Sequence, residues 1–281
     1  MHILFDIGAT KMRVAASDGK SLKKNNIRIV ATPDNFVEGM GMLRKLALES
    51  AGAKSFGKLK INAVSGGAAG SLDRKNGILF NPPNLSDWKG KPIRKAIATA
   101  LGIGIKKVFV ENDTALVGLG EATSGAGKKY KIVAYITVST GVNGIRVVDG
   151  ALDRSAFGFE IGHQIVGATE RDTLESFVGA AALSQKYKMP ASEIKDKKVW
   201  DEAHRRLAYG LHNMILHWSP DVIVMGGGQV RSGDISIERV ARELKRIHHI
   251  FSQLPEIKKA ALGDLGGLYG AIVFLRQQIR K

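Results

Sequence analysis

The chain contains no cysteine. That excludes disulfides, thiolate zinc sites and a cysteine nucleophile. It also lacks any run of about 18 or more apolar residues, so no segment reads as a membrane span. The opening "MHILFDIGATK" puts an acid early in its apolar run and carries no signal-peptide cleavage pattern. These absences lead to the expectation of a cytoplasmic protein. No stretch is of low complexity and no linker is evident. The Walker pattern GxxxxGK[ST] is missing, as is a GxGxxG between a strand and a helix.

What is present is a 281-residue chain, 44% hydrophobic, with 33 glycines. At about 150 residues per domain this suggests two domains, each able to bury a core. The formal net charge is +16. A basic surface can attract nucleic acid, anionic membranes or polyphosphate. The lysines, however, fall in short scattered clusters such as "SLKKNN", "GKKYK" and "IKDKKVW". That spread favours a solvated surface over a nucleic-acid or membrane site. Attraction of a phosphorylated substrate follows either way.

The periodicity predicts an α/β chain. "HILFDIG" and "MRVAAS" read as strands joined by "GATK", and "IRIVAT" as a third. Residues 34–52 have helical spacing, with Phe36, Val37, Met40, Leu43, Leu46 and Ala47 on one face. "LKINAVSGGAAG" is a strand entering a glycine-rich turn. "KPIRKAIATALG" is a helix with proline near its start and glycine after its end. "KVFVEND" is a strand followed by a helix over 114–123. The pattern then restarts with "KIVAYITVSTGVNGIRVVDG", a strand, a turn and a strand. "RVAASDG" near residue 13 echoes "RVVDG" at 146, a weak internal repeat that suggests two related halves. Helices are expected over 172–188, 197–218 and 266–280, and in "SIERVARELKRI". Strands are expected in "DVIVMGGGQV" and "IKKAALG".

Three turns put glycines or hydroxyls just after a strand: "FDIGATK", "VSTGVNG" and "VMGGGQV". Glycine lets backbone amides approach a phosphate closely. Hairpins need glycine too, so each turn alone reads more readily as a plain turn; three at equivalent strand ends are harder to explain that way. Asn112 and Asp113 in "VENDTALVGLGEA" suit a helix cap. A carboxylate at that strand end also suits a general base for a hydroxyl attacking a phosphate. "GFEIGHQIVGATERDTLESFV" holds Glu160, His163 and Glu175. Metal site, acid–base pair, ligand clamp and ordinary surface all remain open for it. His248 and His249 stand side by side, which reads as surface or interface. Trp88 reads as core or as a sugar-edge residue, and Trp200 and Trp218 as helix packing.

In this order the pieces resemble the ROK family (repressors, open reading frames and kinases) over nearly the whole chain. "DIGATK" resembles its DxGxTK, and "NPPNLSDWKGKPIRKAI" its sugar-side segment. "ENDTALVGLGEA" resembles ENDxNAAxxGE, "VSTGVNGIRVVDGAL" resembles GTGIGxGxVxxGxL, and "EIGH" matches ExGH. "LESFVG" and "GGGQV" follow in register. The resemblance implies an actin-like, hexokinase-like ATPase fold: two ribonuclease-H-like α/β domains around a cleft. These would be residues 1–111, with helix 266–281 packing back, and residues 112–265. It implies ATP- and Mg2+-dependent phosphorylation of a sugar hydroxyl, a hexose such as glucose at its 6-position, by a glucokinase-like enzyme. Asp113 would be the base. Asn84, Asn112, Asp113, Glu160, His163 and Glu175 would clamp the sugar. Gly8, Thr10, Lys11, Thr140 and Gly141 would hold phosphates, Gly226, Gly227 and Gly228 would pack near the adenosine, and Asp6 would act on magnesium through water. A homodimer is the family expectation.

The chain departs from the family at three places. Family members commonly carry zinc between ExGH and the next glutamate, through the ExGH-side histidine region and a cysteine cluster. Here that span is the short, cysteine-free "QIVGATERDTLE", a poor zinc site. No structural zinc is expected, and Thr169 and Asp172 are candidates to hold the loop as turn or cap residues. Ser139 and Asn143 stand where glycines are usual, and Asn tolerates positive φ. The stretch before Glu160 is also short. Two alternatives follow: a catalytically weak sugar-binding protein, or a polyphosphate-using glucokinase. A repressor of the family carries a helix-turn-helix ahead of this region. The first phosphate strand starts at His2, which disfavours that class.

Overall fold

Most residues of the first two strands are apolar and buried, and the strands fold back on each other through the turn that starts at Gly8. The structure, a computed structural model, describes residues 1–82 and 85–280. It comprises two units, Met1–Gly120 with Asp264–Lys281, and Glu121–Gly263. The sequence reading divides the chain after 111 and before 266, whereas the crossings fall after Gly120 and after Gly263.

In the first unit β1 (His2–Ile7), β2 (Lys11–Ser17) and β3 (Ile27–Ala31) form an antiparallel meander. Helix α1 (Phe36–Ser50) follows, with Asn35 as N-cap, its side chain accepting the Glu38 amide at 3.0 Å. β4 (Ala63–Ala68) then runs parallel to β1. A small hairpin of β5 (Leu72–Asp73) and β6 (Ile78–Leu79) leads to α2 (Ile93–Leu101), which ends on left-handed Gly102. β7 (Val108–Asn112) lies parallel to β4 and runs directly into α3 (Asp113–Ser124). The strand order is β3-β2-β1-β4-β7.

Chain order repeats in the second unit. β8 (Ile132–Val138), β9 (Val142–Val148) and β10 (Ala151–Leu152) form an antiparallel meander. Helices α4 (Leu174–Val178), α5 (Ala180–Tyr187) and α6 (Lys197–Trp218) follow. β11 (Val222–Gly226) is parallel to β8. The short α7 (Gly228–Ser232) and α8 (Ile237–Ile247) precede β12 (Glu256–Lys259), parallel to β11. The order β10-β9-β8-β11-β12 is the same as in the first sheet. Each sheet thus has the ribonuclease-H-like arrangement, and the weak echo near residues 13 and 146 falls on equivalent second strands, β2 and β9. Helix α9 (Gly266–Ile279) returns to the first unit, where Ser65 Oγ donates to the Ala271 carbonyl at 2.9 Å.

Each unit buries its own core. Trp88, Phe5, Leu43 and Ile97 are fully enclosed in the first. Trp200, Leu207, Leu211 and Ile223 pack in the second. Trp88 is therefore core: its Nε1 donates to the Pro33 carbonyl at 3.1 Å and its ring meets Phe36 edge-on. Three expectations need correction. Val37 is 75% exposed, because it stands about 100° round the helix from Phe36. The helix expected over 172–188 is broken at extended Gly179. His248 is buried rather than on the surface, with Nδ1 3.2 Å from His212 Nδ1. No helix among the described residues is long and apolar enough to cross a membrane.

Candidate active site

In the first unit the expected residues gather where β1 and β7 end. Asp6 is the penultimate residue of β1 and is buried. Its cross-strand partner is Arg13, whose guanidinium donates to Asp6 Oδ2 at 3.1 Å. Gly267 of α9 presses on it so closely that a Cβ there would lie 2.6 Å from Asp6 Cγ. Burial pushes the Asp6 carboxyl up from 3.8 to about 7; Arg13 opposes the rise and the Asp113 charge adds to it. Asp113 begins α3 and keeps partial solvent access. Enough protein surrounds its carboxyl that desolvation raises its pKa, against the pull of the Thr114 amide at 2.7 Å.

Asn112 caps α3: its Oδ1 accepts the Ala115 amide at 3.1 Å, and its Nδ2 donates to the Gly70 carbonyl at 3.0 Å. Among the described residues one N–H and one lone pair of the amide have no further partner. The turn Gly8–Ala9–Thr10 is closed by the Gly8 amide donating to the Lys11 carbonyl at 3.0 Å. Lys11 reaches Asp264 at 3.4 Å, a weak pair between exposed side chains. Asn84, an expected sugar ligand, lies outside the described residues.

The second unit builds an equivalent turn between β8 and β9. The Ser139 amide donates to the Gly141 carbonyl at 2.9 Å. The amides of Ala180 and Ala181, at the start of α5, donate to the carbonyls of Ser139 and Thr140, each at 2.9 Å. This explains the break at Gly179: α5 starts afresh so that two of its unsatisfied N-terminal amides face the turn. Glu175 Oε2 accepts the Val142 amide at 2.7 Å. Glu160 and His163 share one 3-10 turn, with the His163 amide donating to the Glu160 carbonyl at 3.1 Å. Both side chains are exposed.

Asn143 corrects the sequence reading. It needs no left-handed conformation, because it lies within β9 opposite Thr137. Its Nδ2 donates to Glu160 Oε2 at 3.2 Å, so the residue that departs from the family pattern orients the glutamate. Gly226 ends β11 and Gly227 caps α7 with φ 98°; a Cβ on Gly227 would sit 2.1 Å from the Val138 carbonyl oxygen. Only glycine fits there.

The short cysteine-free span forms a hairpin. Ile165 bridges Thr173, the Val166 amide donates to the Asp172 carbonyl at 2.9 Å, and the Leu174 amide to the Gln164 carbonyl at 2.9 Å. Asp172 Oδ2 accepts the amides of Ala168 and Thr169, each at 2.9 Å. Those bonds, the Thr169 amide foremost, hold its carboxyl below the usual range. Thr173 caps α4, its Oγ1 accepting the Ser176 amide at 3.2 Å.

Sequence reasoning misses the residues behind these turns. Arg13 was legible in principle, since a hairpin centred on Gly8–Thr10 sets it opposite Asp6. Thr32 and Gln229, which bond to turn carbonyls, carry no local signal; only the register of β3 beside Lys11 points at Thr32.

The ROK family model matches residues 3–278. The chain is 29% identical to a glucokinase of Thermotoga maritima, over 98% of this chain and 96% of that one. It is 26% identical to an N-acetyl-D-glucosamine kinase of Mannheimia succiniciproducens, over 95% and 96%. A crystal structure of a ROK hexokinase from Thermus thermophilus superposes with a TM-score of 0.81 at 25% identity, covering 99% of both chains. The doubled sheet topology is the actin-like, hexokinase-like ATPase fold. With the family model spanning all but the ends of the sequence, the chain belongs to the ROK family.

Proposed function

We propose that this chain is a sugar kinase that transfers the γ-phosphoryl group of ATP to a hexose hydroxyl, that of glucose or an N-acetyl amino sugar, at the 6-position. The observation that carries this reading is Asp113, a carboxylate at the junction of β7 and α3 whose pKa is raised by burial. A base works best with its pKa nearer the working pH. Asp113 takes the proton of the sugar hydroxyl as its oxygen bonds to the γ-phosphorus. The bond from that phosphorus to the bridging oxygen breaks, and ADP leaves. Catalysis of this kind rests on positioning and electrostatics.

The remaining groups suit the substrates. Glu160 and Glu175 offer carboxylate oxygens to sugar hydroxyls, and His163 and Asn112 can donate or accept. Glu175 is also tied through Oε2 to the Val142 amide, so Oε1, which has no hydrogen bond among the described residues, is the atom left for the sugar. For the nucleotide, Thr10, Lys11, Thr140 and Gly141 supply hydroxyls, charge and amides. Gly226, Gly227 and Gly228 give a backbone free of side chains for the adenosine. Magnesium, when bound, neutralises phosphate charge. Among the described residues no three acids or histidines converge on one point. Such an ion is held mostly by phosphates and water, and Asp6 would meet it through water.

The two named curated relatives support the substrate class, being a glucokinase and an N-acetyl-D-glucosamine kinase. The test is an ADP-release screen over hexoses and N-acetyl hexosamines, with direct product detection when polyphosphate replaces ATP. Turnover with ATP and at least one of these sugars is expected. No turnover with any sugar would sink the reading.

A further inference from the structure

A phosphate turn works only if its amides point outward. In a planar trans peptide the N–H and C=O point in opposite directions, so a group that holds a carbonyl also aims the next residue's amide. The first turn is held in this way by Thr32, a buried residue just after β3. Thr32 Oγ1 donates to the Gly8 carbonyl at 2.7 Å, and the Thr32 amide donates to the Thr10 carbonyl at 3.0 Å. The Gly8 carbonyl shares its peptide with the Ala9 amide. Among the described residues neither the Ala9 nor the Thr10 amide has a protein partner.

The second turn has the same construction from unrelated sequence. Gln229, buried on α7, donates through Nε2 to the Ser139 carbonyl at 3.0 Å and to the Val178 carbonyl at 2.7 Å. The Ser139 carbonyl shares its peptide with the Thr140 amide. The amides of Thr140 and Gly141 likewise have no protein partner among the described residues, while the carbonyls of Ser139, Thr140 and Gly141 are all taken.

We infer that Thr32 and Gln229 are positioning residues for nucleotide binding: each pins the carbonyl behind one turn, so that the amides of Ala9 and Thr140 face the phosphates. The inference rests on the reading of these turns as phosphate sites. Without its brace the Gly8–Ala9 peptide is free to rotate, and a rotated peptide presents a carbonyl oxygen where a phosphate needs a donor.

Calorimetric titration with the non-hydrolysable analogue AMPPNP and magnesium tests it without requiring turnover. Thr32→Val keeps the shape and removes the donor, and Thr32→Ser restores the donor. Gln229→Met removes the side-chain donor from the second turn, where the Ala180 amide still holds the Ser139 carbonyl. The expected result is that Thr32→Val and Gln229→Met each weaken binding about tenfold, as for one lost hydrogen bond, and Thr32→Ser recovers most of it. In steady-state kinetics the KM for ATP rises in the same proportion while the KM for sugar stays near the wild-type value. Wild-type affinity in both Thr32→Val and Gln229→Met would overturn the inference alone. So would a loss in Thr32→Val that Thr32→Ser does not recover, or a fall in affinity matched by an equal rise in the sugar KM. Melting curves identify a variant that fails to fold, in which case the other turn's variant decides. Absence of AMPPNP binding by the wild-type chain would overturn the phosphate reading itself, and the inference with it.

Discussion

Glu175 Oε2 accepts the amide of Val142 at 2.7 Å, at the first residue after the Ser139–Gly141 turn. One carboxylate fixes the backbone of the proposed phosphate turn, and its other oxygen is the one proposed above for the sugar. The two duties separate by substitution. Glu175→Gln keeps an oxygen acceptor for Val142 but loses the charge. It is expected to raise the KM for sugar and leave the KM for ATP within about twofold, since the backbone hydrogen bond persists. Glu175→Ala removes both and is expected to raise both constants. Two-substrate kinetics on the pair checks this. An unchanged KM for ATP in Glu175→Ala would confine Glu175 to the sugar.

Asp113→Asn tests the base directly. The amide cannot take a proton, and turnover is expected to fall by at least about 100-fold, the lower end for loss of a general base. Sugar affinity, measured by titration, is expected to be largely kept. In the wild type, kcat/KM for sugar is expected to fall on the acid side at a pH above the ordinary carboxylate value of 3.8, because desolvation raises the Asp113 pKa. Near-normal turnover in Asp113→Asn would remove it from that role.

The architecture is readable from sequence because it rests on local signals. Short continuous apolar runs leading into glycine-bearing turns mark β1 and β8, and the Pro92 and Gly102 boundaries of α2 are standard helix punctuation. The restart at β8 announces the second sheet. The illegible parts are set by distant partners. Gly179 breaks what reads as one helix, because the Ser139 and Thr140 carbonyls 40 residues upstream take the α5 amides. His248 reads as surface until α6 brings His212 beside it. In the candidate site, Asp6 and Asp113 stand out by motif. Their raised pKa values do not, because they come from burial by distant parts of the chain, with the Asp113 charge adding to the rise at Asp6.

Asp6 makes stability depend on pH with a definite sign. Its pKa is about 7 in the folded chain against 3.8 as the ordinary value. Between those values the folded state holds a proton that the unfolded state has released. Stability from this group is therefore fully present below pH 4, falls as pH rises toward 7, and is level above it. Asp6→Asn removes the titration. The unfolding free energy of wild type minus variant is expected to fall by about 4 kcal/mol from pH 4 to pH 8. Urea denaturation at a series of pH values measures it. A difference that stays flat, or rises, would show that Arg13 fully offsets the burial of Asp6.

The hairpin over 164–174 gives the last test, because hydrogen bonds close it where the family resemblance leads one to look for a zinc loop. Asp172 takes the amides of Ala168 and Thr169, and the Val166 and Leu174 amides close the ladder behind it. Thr173 then caps α4, which carries Glu175. The shape of this segment thus depends on one carboxylate acceptor instead of on thiolates. Zinc chelation in the presence of excess magnesium is expected to leave the melting temperature and turnover unchanged. Asp172→Ala is expected to lower the melting temperature, as for a lost capping acceptor. It should also raise the KM for sugar, because α4 loses the turn that leads into it. Asp172→Asn keeps an oxygen for the two amides and should recover most of both losses. Restoration of Asp172→Ala by added zinc, or loss of wild-type activity on zinc chelation, would show that a metal still holds the loop.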